Sequence, residues 1–311
     1  MTDVMVAVEG LHKRFGKTVA LQSVDLKVPA GSILGVLGPN GAGKTTTINC
    51  LTTLLKPDGG KAAIAGYDVV TQAAAVRALI SLTGQFAAVD EELTARENLI
   101  LFGRLLRLST EQAKKRATEL LEQFDLLSAA NRQVKEFSGG MRRRLDLAAS
   151  IVAEPLVLFL DEPTTGLDPR SRQQLWDVVR DLKAQGITIV LTTQYLEEAD
   201  ELADRIVVID RGTVIAEGTA DNLKDKVGGT FCELRLANPR DQAQMHQALT
   251  GLGDVCAEGD AFAIAAPDGV TTLTEVLRRM DTAGVVLADI SLRRPSLDDV
   301  FFALTGHTTG H

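Results

Sequence analysis

The stretch Ile33-Leu34-Gly35-Val36-Leu37-Gly38-Pro39-Asn40-Gly41-Ala42-Gly43-Lys44-Thr45-Thr46 decides how this chain is read. A short apolar run stops at a glycine-rich turn, and a lysine with two hydroxyl residues follows at the start of a predicted helix. G-x-x-x-x-G-K-T between a strand and a helix is the phosphate-binding loop. Its glycines let backbone N–H groups turn inward on phosphates, and the helix adds the positive end of its dipole. Lys44 is placed for the β- and γ-phosphates of a nucleotide and the Thr45 hydroxyl for Mg2+. The plain alternative is a tight glycine turn capping a helix, but spacing and context match together. Residues Gly38, Pro39, Asn40, Gly41, Ala42, Gly43, Lys44, Thr45 and Thr46 are therefore candidate nucleotide ligands.

A second apolar run, residues 156–160, ends in Asp161-Glu162. An acid at the carboxyl end of a strand beside the loop suits the hydration shell of Mg2+. The acid next to it can polarise an attacking water as general base; a solvated acidic loop is the bland reading. Further back, Phe137-Ser138-Gly139-Gly140-Met141 opens a predicted helix. Ser138 suits an N-cap, and the two glycines leave N–H groups bare for close approach by an anion. Alone, that pattern is weak.

Around these motifs the first 225 or so residues alternate strand-like and helical stretches, the pattern of an α/β fold with a largely parallel sheet. Ile33–Leu37 and residues 156–160 and 187–192 read as strands covered on both faces. Residues 4–8 and 19–28 read as an antiparallel patch, and 206–209 with 214–216 flank Asp210-Arg211-Gly212 as a hairpin. From about 91 to 150 the strand patterns vanish. Thr94 and Glu97 form a capping box ahead of a helix through Leu106, and helices follow at about 109–124 and 139–153, an inserted helical subdomain. Beyond Gly228-Gly229 the pattern changes. Cys232, Leu234 and Leu236, then Phe262, Ile264 and Ala266, then Val286, Ala288, Ile290 and Leu292 alternate as strands. A helix starting near Asn238-Pro239 and another with Leu273, Val276, Leu277 and Met280 on one face complete a β-α-β-α-β module. The expected domains are 1–227 and 228–311.

Length agrees, since 311 residues allow two domains of about 150 each. A net charge of −8 gives no overall field for nucleic acid or anionic lipid. Cys50, Cys232 and Cys256 are scattered and read as reduced thiols of a cytoplasmic protein. No apolar run approaches the ~20 residues of a spanning helix, and MTDVMVAVEG lacks the basic start and apolar core of a signal peptide. The expectation is a protein that serves any membrane from outside the bilayer.

With Gly166-Leu167-Asp168 added, phosphate-binding loop, Ser-Gly-Gly signature, acidic strand end and D-loop occur in the order seen in ATP-binding-cassette (ABC) ATPases, which the chain resembles. GMRRRLDLA, LDEPTTGLDPRSR, TTQYLEEAD and LRRPSLDDVFFALTG bring the resemblance closer to the daunorubicin-resistance ATP-binding (DrrA) family of ABC-2 type exporters. It covers essentially the whole chain, most firmly to about 225. It implies a P-loop NTPase of the ABC nucleotide-binding class, with an inserted helical subdomain and a small C-terminal α+β module. It also implies ATP hydrolysis that drives export of hydrophobic drugs, polyketides or lipids.

The resemblance further implies residue roles. Phe15 would stack on adenine, where the family more often has tyrosine; a core aromatic is the alternative. Gln85 would complete Mg2+ coordination and sense the γ-phosphate. Ser138, Gly139 and Gly140 would grip the γ-phosphate of ATP held by a second copy, and Asp168 would bridge the copies. The implied partners are that second copy and a separate polytopic ABC-2 type permease at the cytoplasmic face of the cell membrane, where the chain would be peripheral. No nucleic acid is expected. Two departures stand out: Met141 replaces the usual glutamine, and Gln194 the usual histidine. A glutamine amide donates a hydrogen bond but carries no charge and shuttles no proton. Slow turnover, with Glu162 as the main catalytic group, is expected. A non-transport cassette ATPase, the alternative, would show paired cassettes or long coiled-coil insertions.

Other residues have bland readings. Arg142-Arg143-Arg144 reads as a solvated or ion-paired face, with docking or a nucleotide contact as alternatives. Trp176 shares a helical face with Leu175, Val179 and Leu182 and reads as core. His12, His246, His307 and His311 have no metal spacing, and Cys50 reads as a small core residue.

Overall fold

Ile33–Leu37 and Val157–Asp161 are buried at every position, as near-continuous apolar runs are in a sheet covered on both faces. A computed structural model describes residues 4–84, 88–227, 230–253, 255–258, 261–293 and 295–305. The chain forms two compact units, Met1–Ala220 and Asp221–His311.

In the first unit β1 (Val4–Phe15) and β2 (Thr18–Pro29) pair antiparallel, and β3 (Ile33–Leu37) leads through the glycine-rich loop into α1 (Lys44–Leu51). β4 (Gly59–Ile64) and β5 (Tyr67–Asp68) extend the antiparallel side, and α2 (Ala73–Arg77) precedes β6 (Ile80–Thr83). Three helices follow: α3 (Ala95–Leu105), α4 (Thr110–Gln123) and α5 (Gly139–Ser150). The chain then returns to the sheet as β7 (Val157–Asp161), α6 (Pro169–Ala184), β8 (Thr188–Thr193), α7 (Leu196–Leu202), β9 (Arg205–Asp210) and β10 (Thr213–Gly218).

Among the described residues ten strands run in the order β5-β4-β1-β2-β10-β9-β3-β8-β7-β6. Strands β9, β3, β8, β7 and β6 are mutually parallel. Leu37 pairs with Thr193, Asp161 with Thr192, and Thr83 with Leu160. Four strands thus end together at one edge, and ligands of such sheets bind outside those carboxyl ends.

The helical stretch lies between the adjacent strands β6 and β7. Its starts are written locally: Thr94 Oγ1 accepts the Glu97 N–H at 3.2 Å while Glu97 accepts the Thr94 N–H at 2.8 Å. Ser109 and Gln112 repeat the pattern on α4. Each such cap stabilises its helix by about 1 kcal/mol. Leu99, Leu120, Phe124 and Leu145 are buried in a cluster that continues through Leu158 and Leu160 of β7, so this stretch is packed onto the sheet.

Several boundaries differ from expectation. The helix expected over 139–153 stops at Ser150, with Ile151 already off helical geometry. The strand expected at 156–160 is Val157–Asp161, because Leu156 lies largely exposed ahead of the buried run. β4, β5 and β6 had no clear sequence signal, being short or starting Gly59-Gly60-Lys61.

α8 (Ala220–Val227) starts at the last residue of the first unit, and in the second unit β11 (Thr230–Leu236) is followed by α9 (Gln242–Leu249), β12 (Val255–Glu258), β13 (Ala261–Ala266), α10 (Val270–Ala283), β14 (Leu287–Arg293) and α11 (Leu297–Thr305). Its antiparallel sheet runs β12-β13-β11-β14. Cys232, Leu234, Met245, Leu249, Ile264, Val276 and Met280 form its core. This exceeds the expected β-α-β-α-β. β12 is four residues long and exists through pairing with β13, from Val255 opposite Ile264 to Glu258 opposite Ala261. Asn238-Pro239 opens a 3-10 turn, capped by Asn238 on the Arg240 N–H at 3.2 Å, and α9 proper begins at Gln242. Leu277, expected on the buried face of its helix, is exposed. Among the described residues no helix is long and apolar enough to cross a membrane.

Candidate nucleotide-binding and hydrolysis site

The loop between β3 and α1 is built from close approaches that exclude side chains. A Cβ on Gly38 would lie 2.2 Å from the Ile209 carbonyl oxygen. Gly43, at φ 111°, would place one 2.7 Å from Leu21 Cδ2, in a region that favours glycine. Lys44 opens α1 with its side chain turned back along the loop, donating to the carbonyls of Gly38 at 2.8 Å and Pro39 at 3.2 Å. Its Nζ is 3.7 Å from Glu162 Oε1. Burial pushes the Lys44 ammonium below the usual lysine range, and the Glu162 and Asp161 carboxylates oppose that shift. Asn40, Gly41 and Thr45 are exposed, Pro39 and Thr46 half-buried, and Ala42 buried.

Across the edge, Asp161 ends β7 and is buried. Thr45 Oγ1 donates to its Oδ1 at 3.2 Å, and Thr192 Oγ1 to the same oxygen at 2.5 Å. Glu162 follows at φ 49°, a left-handed conformation that costs a non-glycine residue on the order of 1 kcal/mol and is worth noting where chemistry is expected. Its N–H donates to the Thr192 carbonyl and hydroxyl, each at 3.1 Å. Thr192 therefore orients both acids, one through its carboxylate and the other through its backbone. Gln194 follows the end of β8 directly and is half-buried at the same edge. Gln85 lies outside the described residues.

The oxygen set fits Mg2+. Thr45 hydroxyl and Asp161 carboxylate are hard donors beside a loop shaped for phosphates. Among the described residues no three His, Cys, Asp or Glu side chains gather as a closed metal cage; Mg2+ needs none where substrate phosphates and water supply most ligands.

Phe15 ends β1 and is 47% exposed, so it is not the core aromatic that was the alternative reading. Ser138 caps α5, its Oγ accepting the Met141 N–H at 3.3 Å. A Cβ on Gly139 would meet nothing within 4 Å, whereas one on Gly140 would lie 2.3 Å from Ser171 Oγ. Ser171 in turn donates to Asp168 from its N–H at 3.0 Å and its hydroxyl at 2.6 Å. These bonds hold the Asp168 carboxyl below the usual aspartate range. Signature and D-loop of one chain are thus packed together, with Asp168 capping its own helix. Neither is within the hydrogen bonds that join Lys44, Thr45, Asp161 and Glu162.

Besides Thr192, two charged groups escaped the sequence reading. Arg143 is 9% exposed, not part of a solvated face; its neighbours are half-buried and ion-paired, Arg142 with Glu91 at 2.8 Å and Arg144 with Asp125 at 4.0 Å. Glu198 on α7 is fully buried and accepts from Trp176 Nε1 at 3.2 Å. Their burial depends on which elements cover them, and a charged residue in a helical stretch carries no such signal.

A family model described as "ABC transporter" matches residues 21–165. The doxorubicin resistance ATP-binding protein DrrA of Mycobacterium tuberculosis is 53% identical over 99% of this chain and 95% of its own length. The chain belongs to the ABC transporter ATP-binding subunits. A daunorubicin resistance ATP-binding protein of Streptomyces coeruleorubidus is 55% identical over 99% of this chain and 97% of its own length. Among solved structures, a dimeric ATP-binding cassette in a post-hydrolysis state with ADP and phosphate superposes at TM-score 0.62 and 28% identity, over 69% of this chain and 98% of that one. As an ABC subunit the chain binds and hydrolyses ATP in the service of a membrane permease.

Proposed function

We propose that this ABC subunit powers export of hydrophobic compounds through an ABC-2 type permease, bound from the cytoplasmic face of the cell membrane, with Lys44, Thr45, Asp161 and Glu162 as its hydrolytic centre. One observation carries the assignment of the centre: Lys44 Nζ lies 3.7 Å from Glu162 Oε1 while Thr45 Oγ1 bonds Asp161 Oδ1 at 3.2 Å. Likeness to proteins named for doxorubicin and daunorubicin resistance supports a cargo of such drugs, related polyketides or lipids.

Backbone N–H groups of the loop from Asn40 onward and the Lys44 ammonium receive the β- and γ-phosphates. Phe15 offers its exposed ring to the adenine. Thr45 and Asp161 would hold Mg2+, which when bound offsets the charge of the β- and γ-oxygens. Glu162 takes the proton of the attacking water, which displaces ADP from the γ-phosphorus and releases phosphate. Gln194 donates from its amide to the γ-phosphate and leaves the proton to Glu162.

The sequence contains one phosphate-binding loop and one signature, so two complete sites need two copies. Ser138 and Gly139 are exposed at the start of α5, a helix end suited to an anion. The γ-phosphate held by one copy is capped there by the other, with Asp168 at the boundary. The dimeric cassette among the similar structures supports this pairing.

The test is Glu162→Gln with saturating ATP and Mg2+. Light scattering should report an ATP-dependent dimer that Lys44→Ala abolishes; a monomer at all ATP concentrations would refute the sandwich. Membrane fractionation tests the permease, since the chain should pellet with membranes only when that partner is co-expressed.

A further inference from the structure

Arg143 sits one turn into α5 and is almost wholly buried. Its guanidinium reaches main-chain oxygens on two elements. Nε donates to the Pro163 carbonyl at 2.8 Å and Nη1 to that of Gly84 at 2.6 Å. Nη2 lies 3.5 Å from the carbonyls of both Asp161 and Glu162. Asp146, one turn further on and also buried, lies 3.6 Å from Nη1 and accepts the Ala88 N–H at 2.6 Å.

Packing does not explain this choice. The neighbouring buried positions Leu145, Leu147, Ala148 and Ala149 fill space with apolar groups. A buried ion pair stabilises no better than an apolar replacement of the same volume. What an arginine supplies is a rigid planar fork of donors. Here the fork spans three consecutive carbonyls of the turn that bears Glu162, a residue held at φ 49°. Such a conformation persists only when its surroundings over-determine it. Thr192 holds the Glu162 N–H from one side, and Arg143 addresses the carbonyls from the other.

We infer that Arg143, oriented by Asp146, is a positioning residue for hydrolysis: it sets the turn that presents Glu162 and ties it to the helix beginning at Ser138. The inference rests on the reading of Glu162 as general base. Under that reading a shift of the signature helix is transmitted to the Glu162 turn of the same copy.

The test compares Arg143→Lys, which keeps the charge and loses the fork, with Arg143→Met, which keeps the volume, in the full chain purified with its permease. Both should lower kcat by about tenfold or more, the scale of a small misplacement of a reacting group. The KM for ATP and the affinity for a fluorescent ATP analogue should stay within about twofold in both; Arg143→Met, which leaves Asp146 buried without its partner, should melt lower, whereas Arg143→Lys keeps a cation beside it and should melt near wild type. In the Glu162→Gln background neither variant should lower the residual rate further, as groups acting as a unit are non-additive. Wild-type kcat in Arg143→Lys, or a fall in it that only follows lost nucleotide affinity and melting temperature, overturns this inference alone. Wild-type kcat in Glu162→Gln overturns the assignment of the base and this inference with it.

Discussion

The Lys44 ammonium lies 3.7 Å from the Glu162 carboxylate, with 4% and 11% of their side chains exposed. The cation of the phosphate-binding loop and the acid beyond β7 thus neutralise one another where both are largely withdrawn from water. A phosphate brought to this loop competes with Glu162 for the ammonium. Under the proposed mechanism, binding of substrate therefore frees Glu162 to accept a proton from water.

Lys44→Ala should lower ATP affinity by about tenfold or more and abolish measurable hydrolysis, since a buried ammonium on phosphate is a charge-assisted contact. Titration with a fluorescent nucleotide and a phosphate-release assay read the two effects. Lys44→Arg should restore little, because the fork does not fit a slot closed by the Gly38 and Pro39 carbonyls. Full activity in Lys44→Arg would contradict that reading.

The two signature glycines should respond differently to alanine. At Gly139 the added methyl enters open space, while at Gly140 it collides with Ser171. Gly140→Ala should cost about 1–3 kcal/mol, read as a lower urea midpoint, and Ser171→Gly should recover much of it. Gly139→Ala should melt like wild type yet weaken ATP-driven dimerisation. Equal stability losses in both would rule out the packing account.

Gln194→His should raise kcat about 2- to 10-fold near pH 8, general acid–base assistance being worth up to more than that where alignment is good. It should also add a limb that falls as pH drops below about 6.5, as the imidazole is protonated. A pH–rate profile of the two proteins decides. If the histidine variant is no faster, Gln194 already meets the needs of this site.

Glu198 links stability to pH. Burial pushes its carboxyl above the usual glutamate value, opposed in part by the Thr193 and Thr164 hydroxyls and the Trp176 indole. A raised native value means that the folded chain holds this proton more tightly than the unfolded chain. Its contribution to stability is therefore full below the unfolded value, and is lost as pH rises through the folded one. Glu198→Gln cannot ionise and keeps an acceptor for Trp176. Thermal melts from about pH 5 to about pH 8 should show a decline in wild type that the variant lacks, at about 2–4 °C per kcal/mol. Parallel declines would place the ionisation elsewhere.

The turn at Gly38–Lys44–Thr45, the strand end at Asp161–Glu162 and the helix start at Ser138–Gly139–Gly140 were all legible because each is written in adjacent residues. A loop that cradles phosphate with its own backbone must write glycines and a lysine at set intervals, and a cap must write a serine before a helix. Thr192, Arg143 and Glu198 were not legible. Thr192 reads as one more β-branched strand residue, although it bonds both Asp161 and Glu162. Arg143 stands in a run of three arginines that looks like a solvated face. The short strands β4, β6 and β12 escaped for a related reason, since four to six residues paired across the chain carry little periodicity of their own.

Sequence alone determined the class of protein and the strand–loop–helix at its phosphate-binding motif, since a turn, a cap and a helix start are written within a few positions of one another. Only the tertiary structure decided what faces what. Parallel register aligned the ends of β3, β8, β7 and β6, brought Glu162 to Lys44, and buried Arg143 beneath the Glu162 turn. Those relations come from sheet pairing and helix packing between segments far apart in the chain, where desolvation turns an ordinary charged residue into a structural fork.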